Sequence, residues 1–404
     1  QAQEDATKAT ILKINRLLED RVEAFDRAFK GARRDDYVRG TVALLKAIDG
    51  RFEYFDAHPD EAPPAIRLLA YKAGFRFEMP QRMIEFMVPA TDGNGNGNPD
   101  VDDNGNGIPD VIERKLAIPI AQQQLIEEGT AAPSAAQINT RMAANWTKHL
   151  QNEVAAQSSD ADTIHSTESS ELLYYTLTQS GTLGAITDAD DQFTGSEIAD
   201  TDGDGFLEFV DAWGNPLRFY RWPTRLFDPT APNPFVPDFA DPNDPTEVDP
   251  TPDNSEADGL REILVSEREH AGLLVKGLPP SPAAIGSATQ RDMMLVDPDD
   301  PVGILYTFIE DPKYKNMGID LTAEFNEATY HTPDTYHTPL IVSAGVDGEL
   351  GLREPSETVP ASGIYGNLAQ YAETTASSPT PSAAVVDRLF DNVTNRNRRA
   401  GARR

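Results

Sequence analysis

Residues 92–113 of this chain are almost entirely Asp, Asn, Gly and Pro, a composition that neither a helix nor a strand tolerates. The backbone there is expected to be a loop dense in carboxylates and amides. The charge excess extends beyond this segment. Asp plus Glu number 66 against 35 for Lys plus Arg, a formal charge of -31 over 404 residues. Such a surface repels phosphate, which excludes nucleic acid as a partner, and it attracts cations. Its self-repulsion costs stability unless something neutralises it.

The acidic loop also has a spacing. Asp102, Asn104, Asn106, Gly107 and Glu113 satisfy D-x-[DN]-x-[DN]-G-x5-E, and Asp110 falls at the ninth place. Asp92, Asn94, Asn96 and Gly97 begin the same pattern one repeat earlier, with Asp100 ninth and Asp103 twelfth. A hard divalent cation takes about six to eight oxygens at roughly 2.3–2.6 Å. Alternate side chains in a tight turn aim such oxygens at one centre, and glycine supplies the bend. Because the two repeats overlap, they resemble tandem calcium repeats of the thrombospondin type 3 kind, with EF-hand-like spacing, more than two separate hands. One, two or more ions could share the bridging carboxylates. The rival reading is a solvated acidic turn.

A third copy lies downstream: Asp200, Asp202, Asp204 and Gly205, with Glu208 ninth and Asp211 twelfth. Calcium is expected in preference to magnesium, which demands tight octahedral geometry and keeps its waters. Extracellular calcium modules bind at about 10⁻⁴–10⁻³ M, so such sites fill outside a cell and stay empty within it. The expected location is therefore extracellular or at the cell surface, with the periplasm left open.

Apolar periodicity supplies the rest of the outline. Ile11, Ile14, Leu18, Val22, Phe25 and Phe29 recur at helical steps, which predicts an amphipathic helix over 6–30. Further helices are expected over 36–55, 65–87, 118–128, 136–156, 171–179 and 384–395, and strands over 206–227, 303–309 and 338–342. Residues 226–260 hold nine acidic residues, eight prolines and no basic residue, so they read as an extended insertion. At about 100–200 residues per domain, two or three folded units are expected. The regions are helical at 1–90, tandem calcium loops at 91–115, helical at 116–190, a third loop with sheet at 191–225, an acidic proline-rich insertion at 226–303, C-terminal strands at 304–360, and a helix with a basic tail at 361–404.

The third loop runs into Asp211-Ala212-Trp213-Gly214-Asn215-Pro216, then Leu217-Arg218-Phe219-Tyr220. This resembles the D-x-W-G-N-P-x-x-(Y/F) segment of the major pseudopilins of type II secretion systems, within the type IV pilin superfamily. Ser343-Ala344-Gly345-Val346-Asp347-Gly348 is similar to the S-x-G-x-D-G turn near the C-terminus of the same proteins. The resemblance covers about a fifth of the chain, with both motifs in the right order. It implies an α+β fold, a long N-terminal helix packed on a small antiparallel sheet, here with large helical and proline-rich loop insertions. It also implies a calcium-binding C-terminal turn, which nominates Asp347, with Glu349 as a weaker neighbour. Family members are much shorter and lack the tandem loop. They carry a hydrophobic stem, and membrane contact is expected only through such a stem ahead of Gln1.

No cysteine is present, which excludes disulfides and thiol catalysis. None of His58, His149, His165, His270, His331 and His337 has a zinc-enzyme spacing, and no nucleophile elbow or phosphate loop is found. No catalytic residue is expected. The function expected is a structural subunit of an extracytoplasmic pilus- or pseudopilus-like filament, stabilised by calcium. Its partners would be other copies of itself, with other pilin-like or secretion components open. The alternatives are a monomeric calcium-dependent surface adhesion or binding module, and a surface hydrolase with a structural metal.

Overall fold

The computed structural model describes residues 2–31, 33–83, 85, 106, 108, 112–156, 166–178, 192–223, 299–300, 303–309, 311–317, 339–359, 364–373, 383–389 and 391–395. The fold is α+β and opens on a long helix, α1 (Ala2–Lys30). Glu4 and Asp5 in its first turn and Arg27 and Lys30 in its last complement the helix dipole. Its buried face carries Ile11, Ile14, Leu18 and Phe25, with Val22 and Phe29 partly covered.

Gly31 closes α1, and the chain turns back into α2 (Arg34–Ile48). The helix expected over 36–55 stops early, because the Asp49 carboxylate accepts from Arg51 N and starts a 3-10 turn. Helix α3 (Pro64–Glu78) begins with proline at its first position, where the missing N–H costs nothing. Phe25 is ringed by Tyr37, Tyr71 and Phe75 at centroid distances of 5.6, 5.2 and 5.4 Å. Gly74 permits this approach: a Cβ there would lie 2.7 Å from the Tyr37 ring.

A π-helical turn, Glu113–Ala117, leads into α4 (Ile118–Glu127). Ile118 N donates to Glu113 O, a five-residue step. Pro119 explains the widening, since it has no N–H for the carbonyl four residues back and its ring pushes that carbonyl away. Helix α5 (Ala135–Ala156) starts at a capping box in which Gln137 Oε1 accepts from Ser134 N and Ser134 Oγ accepts from Gln137 N. Helix α6 (Glu168–Thr178) is buried along almost its whole length.

Strands β1 (Ile198–Ala199) and β2 (Glu208–Phe209) form a hairpin, with Ile198 opposite Phe209. The central sheet is β3 (Arg218–Tyr220), β4 (Leu340–Ser343) and β7 (Val393–Thr394), all antiparallel, with β4 in the middle. Alternation assigns its two faces. Phe219, Ile341 and Val393 join the core under α1, whereas Tyr220, Leu340 and Val342 join a separate C-terminal core. Asn395 Nδ2 donates to Asn15 Oδ1 at 2.6 Å, and Ala212 N donates to Thr7 Oγ1 at 3.0 Å, fixing α1 against this sheet. A small hairpin, β5 (Thr358–Val359) with β6 (Ile364–Tyr365), completes the described strands.

The helix expected over 65–87 ends at Glu78, and two further expected elements differ in kind. Residues 303–309 form a helix, α7 (Ile304–Ile309), because both Asp300 oxygens accept from its first amides, Ile304 N and Leu305 N. Residues 384–395 are not one helix: α8 (Ala383–Arg388) ends and the chain returns as β7 to complete the sheet. Among the described residues, no helix is long and apolar enough to cross a membrane. Most of the 226–303 insertion, the segment 261–276, the His331 and His337 echo and the basic tail at 396–404 lie outside the described residues.

Two buried arginines, one opening β3 and one just past its end, are paired. Arg218 makes a bidentate pair with Glu354 at 2.9 and 2.7 Å, and Arg221 pairs with Glu85 at 2.8 and 2.8 Å. Breaking a buried pair strands a charge. Arg221→Ala is expected to cost about 3–5 kcal/mol, read as a lowered urea midpoint. The double change Arg221→Met with Glu85→Met is expected to recover most of that loss.

Candidate metal centre

The β1–β2 hairpin is closed by the Asp-rich loop, and the backbone shapes it. Gly203 and Gly205 sit at φ 73 and 94, the left-handed region that side chains resist. A Cβ at Gly205 would also displace the side-chain amides of Gln124 and Asn145. Successive Asx turns follow: Asp202 Oδ1 accepts from Asp204 N at 3.1 Å, and Asp204 Oδ1 accepts from Phe206 N at 2.8 Å. Glu208 Oε2 accepts from Thr201 N at 2.8 Å. Each of these carboxylates thus spends one oxygen on its own loop and turns the other inward.

Phe206, next to Gly205, plugs the loop into a core with Met142, Trp146, Ile108 and Ile112. That plug presses the loop against α5 and α6. Along α5, Asn145, His149 and Asn152 lie at helical steps on one face. Asn152 Nδ2 donates to Asp202 Oδ2 at 2.8 Å, and His149 Nδ1 lies 2.9 Å from Asp204 Oδ2. Lys148 Nζ donates to the Gly203 carbonyl. From α6, Glu171 points at the same place, and Thr167 Oγ1 donates to Asp202 Oδ2 at 3.0 Å.

Two sets of donor atoms converge, each with its members within 4.8 Å of one another: Glu171, Asp202, Asp204 and Glu208, and His149, Glu171 and Asp204. Relative exposure is 3 % for Glu171, 0 % for Glu208, 1 % for Asp204 and 2 % for His149. Neither oxygen of Glu171 accepts a hydrogen bond, nor does Glu208 Oε1. A buried acceptor left unmade is costly, and a buried carboxylate more so.

The electrostatics follow. Burial, then the neighbouring Asp202, Asp204 and Asp200, push Glu208 up to about 9, against the Thr201 amide. Burial, with Asp204 and Glu208 beside it, pushes Glu171 well above the usual carboxylate range. Burial raises Asp204 to about 6 in spite of His149. Behind them, burial and Glu153 raise Glu168 to about 7. Burial works against a charged His149, but Asp204, Glu168 and Glu153 outweigh it and its pKa rises. A cluster this acidic and this dry can hold a metal ion, whose charge reverses each of these penalties.

The other candidate ligands are placed as follows. Asp200 Oδ2 accepts from Gly205 N at 3.1 Å, at the exposed mouth of the loop and outside both donor sets. Asp211 is not brought to the cluster. Its Oδ1 accepts from Trp213 N and Asn215 N, and its Oδ2 accepts from Ser343 Oγ at 2.7 Å. Asp347 Oδ1 accepts from Glu349 N, while Asp391 Oδ2 accepts from Val346 N and Asp347 N. In the tandem loop, Asn106 Nδ2 donates to Glu113 Oε2 at 3.0 Å, and Ile108 N donates to Asn106 Oδ1 at 2.8 Å. Asp92, Asn94, Asn96, Asp100, Asp102, Asp103, Asn104 and Asp110 lie outside the described residues. Glu171 and His149 were not nominated by the sequence. Glu171 sits in a helix otherwise rich in apolar residues, an incongruity that was its only signal.

Comparison with protein-family models, curated proteins and solved structures gives no match for this chain.

Two outcomes are expected of the cation-free protein. Folded Glu208 keeps its proton to about 9, whereas the unfolded chain releases it near 4.5. The folded state therefore binds more protons between those values, and stability falls as pH rises through that window. Melting temperature, measured from pH 5 to 9, is expected to decline, and a divalent cation is expected to cancel the decline. Glu171→Gln fixes the side chain in a neutral form and removes one ligand. It is expected to raise the melting temperature of cation-free protein and to shrink the stabilisation that cation provides, both read by calorimetry.

Proposed function

We propose that the chain is a structural subunit of an extracytoplasmic pilus- or pseudopilus-like filament, with calcium holding its loops in shape. The observation that carries this reading is the use made of Asp211. Its carboxylate ties the Trp213-Gly214-Asn215-Pro216 turn to Ser343, and Asn215 Nδ2 donates to Gly345 O at 3.2 Å. The two segments that carry the pseudopilin resemblance thus meet at adjacent strands, β3 and β4, beneath a long N-terminal helix.

Calcium is the ion favoured by an oxygen-only donor set of Glu171, Asp202, Asp204 and Glu208 joined by loop geometry with alternating acidic positions. Its charge offsets part of the formal -31 that otherwise opposes association of identical copies. The partners on this reading are further copies of the chain and other pilin-like components.

The test is assembly of the protein produced from its whole gene, followed by light scattering and electron microscopy. Filaments or large oligomers are expected in millimolar calcium and their loss in chelator. A monomer throughout in saturating calcium would refute assembly and leave the calcium-dependent binding module as the reading.

A further inference from the structure

The oxygen cage shares its centre with a nitrogen. His149, Glu171 and Asp204 form a donor set of their own, and two of its three members belong also to the oxygen-only set. His149 Nδ1 is 2.9 Å from Asp204 Oδ2 and 3.5 Å from Glu171 Oε2. A small ion bound at about 2.0–2.2 Å spaces its ligands roughly 2.9–3.5 Å apart, so an ion could replace the proton between these groups with little movement of the two pairs. Calcium has little use for a nitrogen: its ligands are carboxylates, carbonyls and water. Imidazole suits zinc, copper, nickel and related ions.

The imidazole is also held rather than free to swing. It stacks on Trp146 at a centroid distance of 5.4 Å and 23° between planes, and meets Phe206 edge-on at 5.6 Å. Trp146 belongs to α5 and Phe206 to the loop itself, so the elements that shape the oxygen cage also orient the ring. Glu171, with neither oxygen hydrogen-bonded in the buried interior and Oε2 facing His149, belongs to both donor sets.

We propose that this centre has a second position, built from His149, Glu171 and Asp204, that takes a divalent transition ion of the zinc class. It rests on the reading that the oxygen cage binds calcium. Because Glu171 and Asp204 serve both positions, zinc and calcium exclude one another at this centre. The loop then reports which ion is present, since occupancy of one position draws shared carboxylates from the other.

The experiment uses the full chain stripped with chelator. Cobalt(II) serves first as a coloured stand-in for zinc, and zinc and calcium are then titrated against it. In the wild type, cobalt is expected to give visible absorption bands and to quench the Trp146 fluorescence, one equivalent of zinc is expected to abolish both, and bound zinc is expected to weaken calcium's thermal shift. His149→Gln is expected to lose about tenfold or more in zinc affinity while calcium binding stays within about twofold, the mirror image of what Glu208→Gln is expected to do. Circular dichroism checks that each variant folds.

Zinc affinity unchanged in His149→Gln would overturn the proposal and leave His149 as a counter-charge to Asp204. Zinc and calcium binding together without mutual weakening would overturn the sharing. If calcium fails to move the wild-type melting curve while zinc binds through His149, the calcium reading falls and the nitrogen-bearing position stands. If calcium binds and zinc ignores His149, only the second position falls.

Discussion

Like charges brought out of water repel, and this chain brings four carboxylates to one buried point. Glu171, Asp202, Asp204 and Glu208 converge beside a single imidazole, with oxygens of Glu171 and Glu208 left unpartnered. Protonation relieves the repulsion below the raised pKa values, and a divalent ion could relieve it above them. The loop geometry gathers these oxygens. Its backbone amides consume one oxygen from each loop carboxylate, and glycines at positive φ bend the chain so that the remaining oxygens face inward.

The cluster is coupled to the rest of the molecule through two anchors. Phe206 fixes the loop in the core beside α5, and Ser170 Oγ on α6 donates to the Phe209 carbonyl at 3.0 Å on β2. Beyond Asp211 the chain enters β3, where two buried arginines make ion pairs, Arg218 with Glu354 and Arg221 with Glu85. These reach in opposite directions along the sequence, to the C-terminal hairpin region and to the end of the N-terminal helices. One short stretch, 200–221, therefore joins the carboxylate cluster, the sheet and both flanking regions.

Local pattern made much of this legible. The apolar stripe of α1 followed from steps of three and four residues, and Asp202, Asp204 and Glu208 followed from spacing around Gly205. Failures of local reasoning have physical causes. The apolar run at 304–309 reads as a strand until Asp300 caps it, and a cap made by a carboxylate four and five residues upstream outweighs the side-chain preference. Asp211 fits the twelfth place of a calcium loop, but Ser343, on a strand distant in sequence, takes up one of its oxygens.

The sequence by itself determined that residues 200–208 form a tight acidic turn and that α1 has one apolar face, because both depend on neighbours within a few residues. Tertiary structure alone decided which group closes the cage. Glu171 and His149 reach it from two separate helices, and that meeting depends on how Phe206 and Trp146 bury together. Packing between distant segments carries no signature in a local window, since the energy resides in surfaces that adjoin only after the chain has folded.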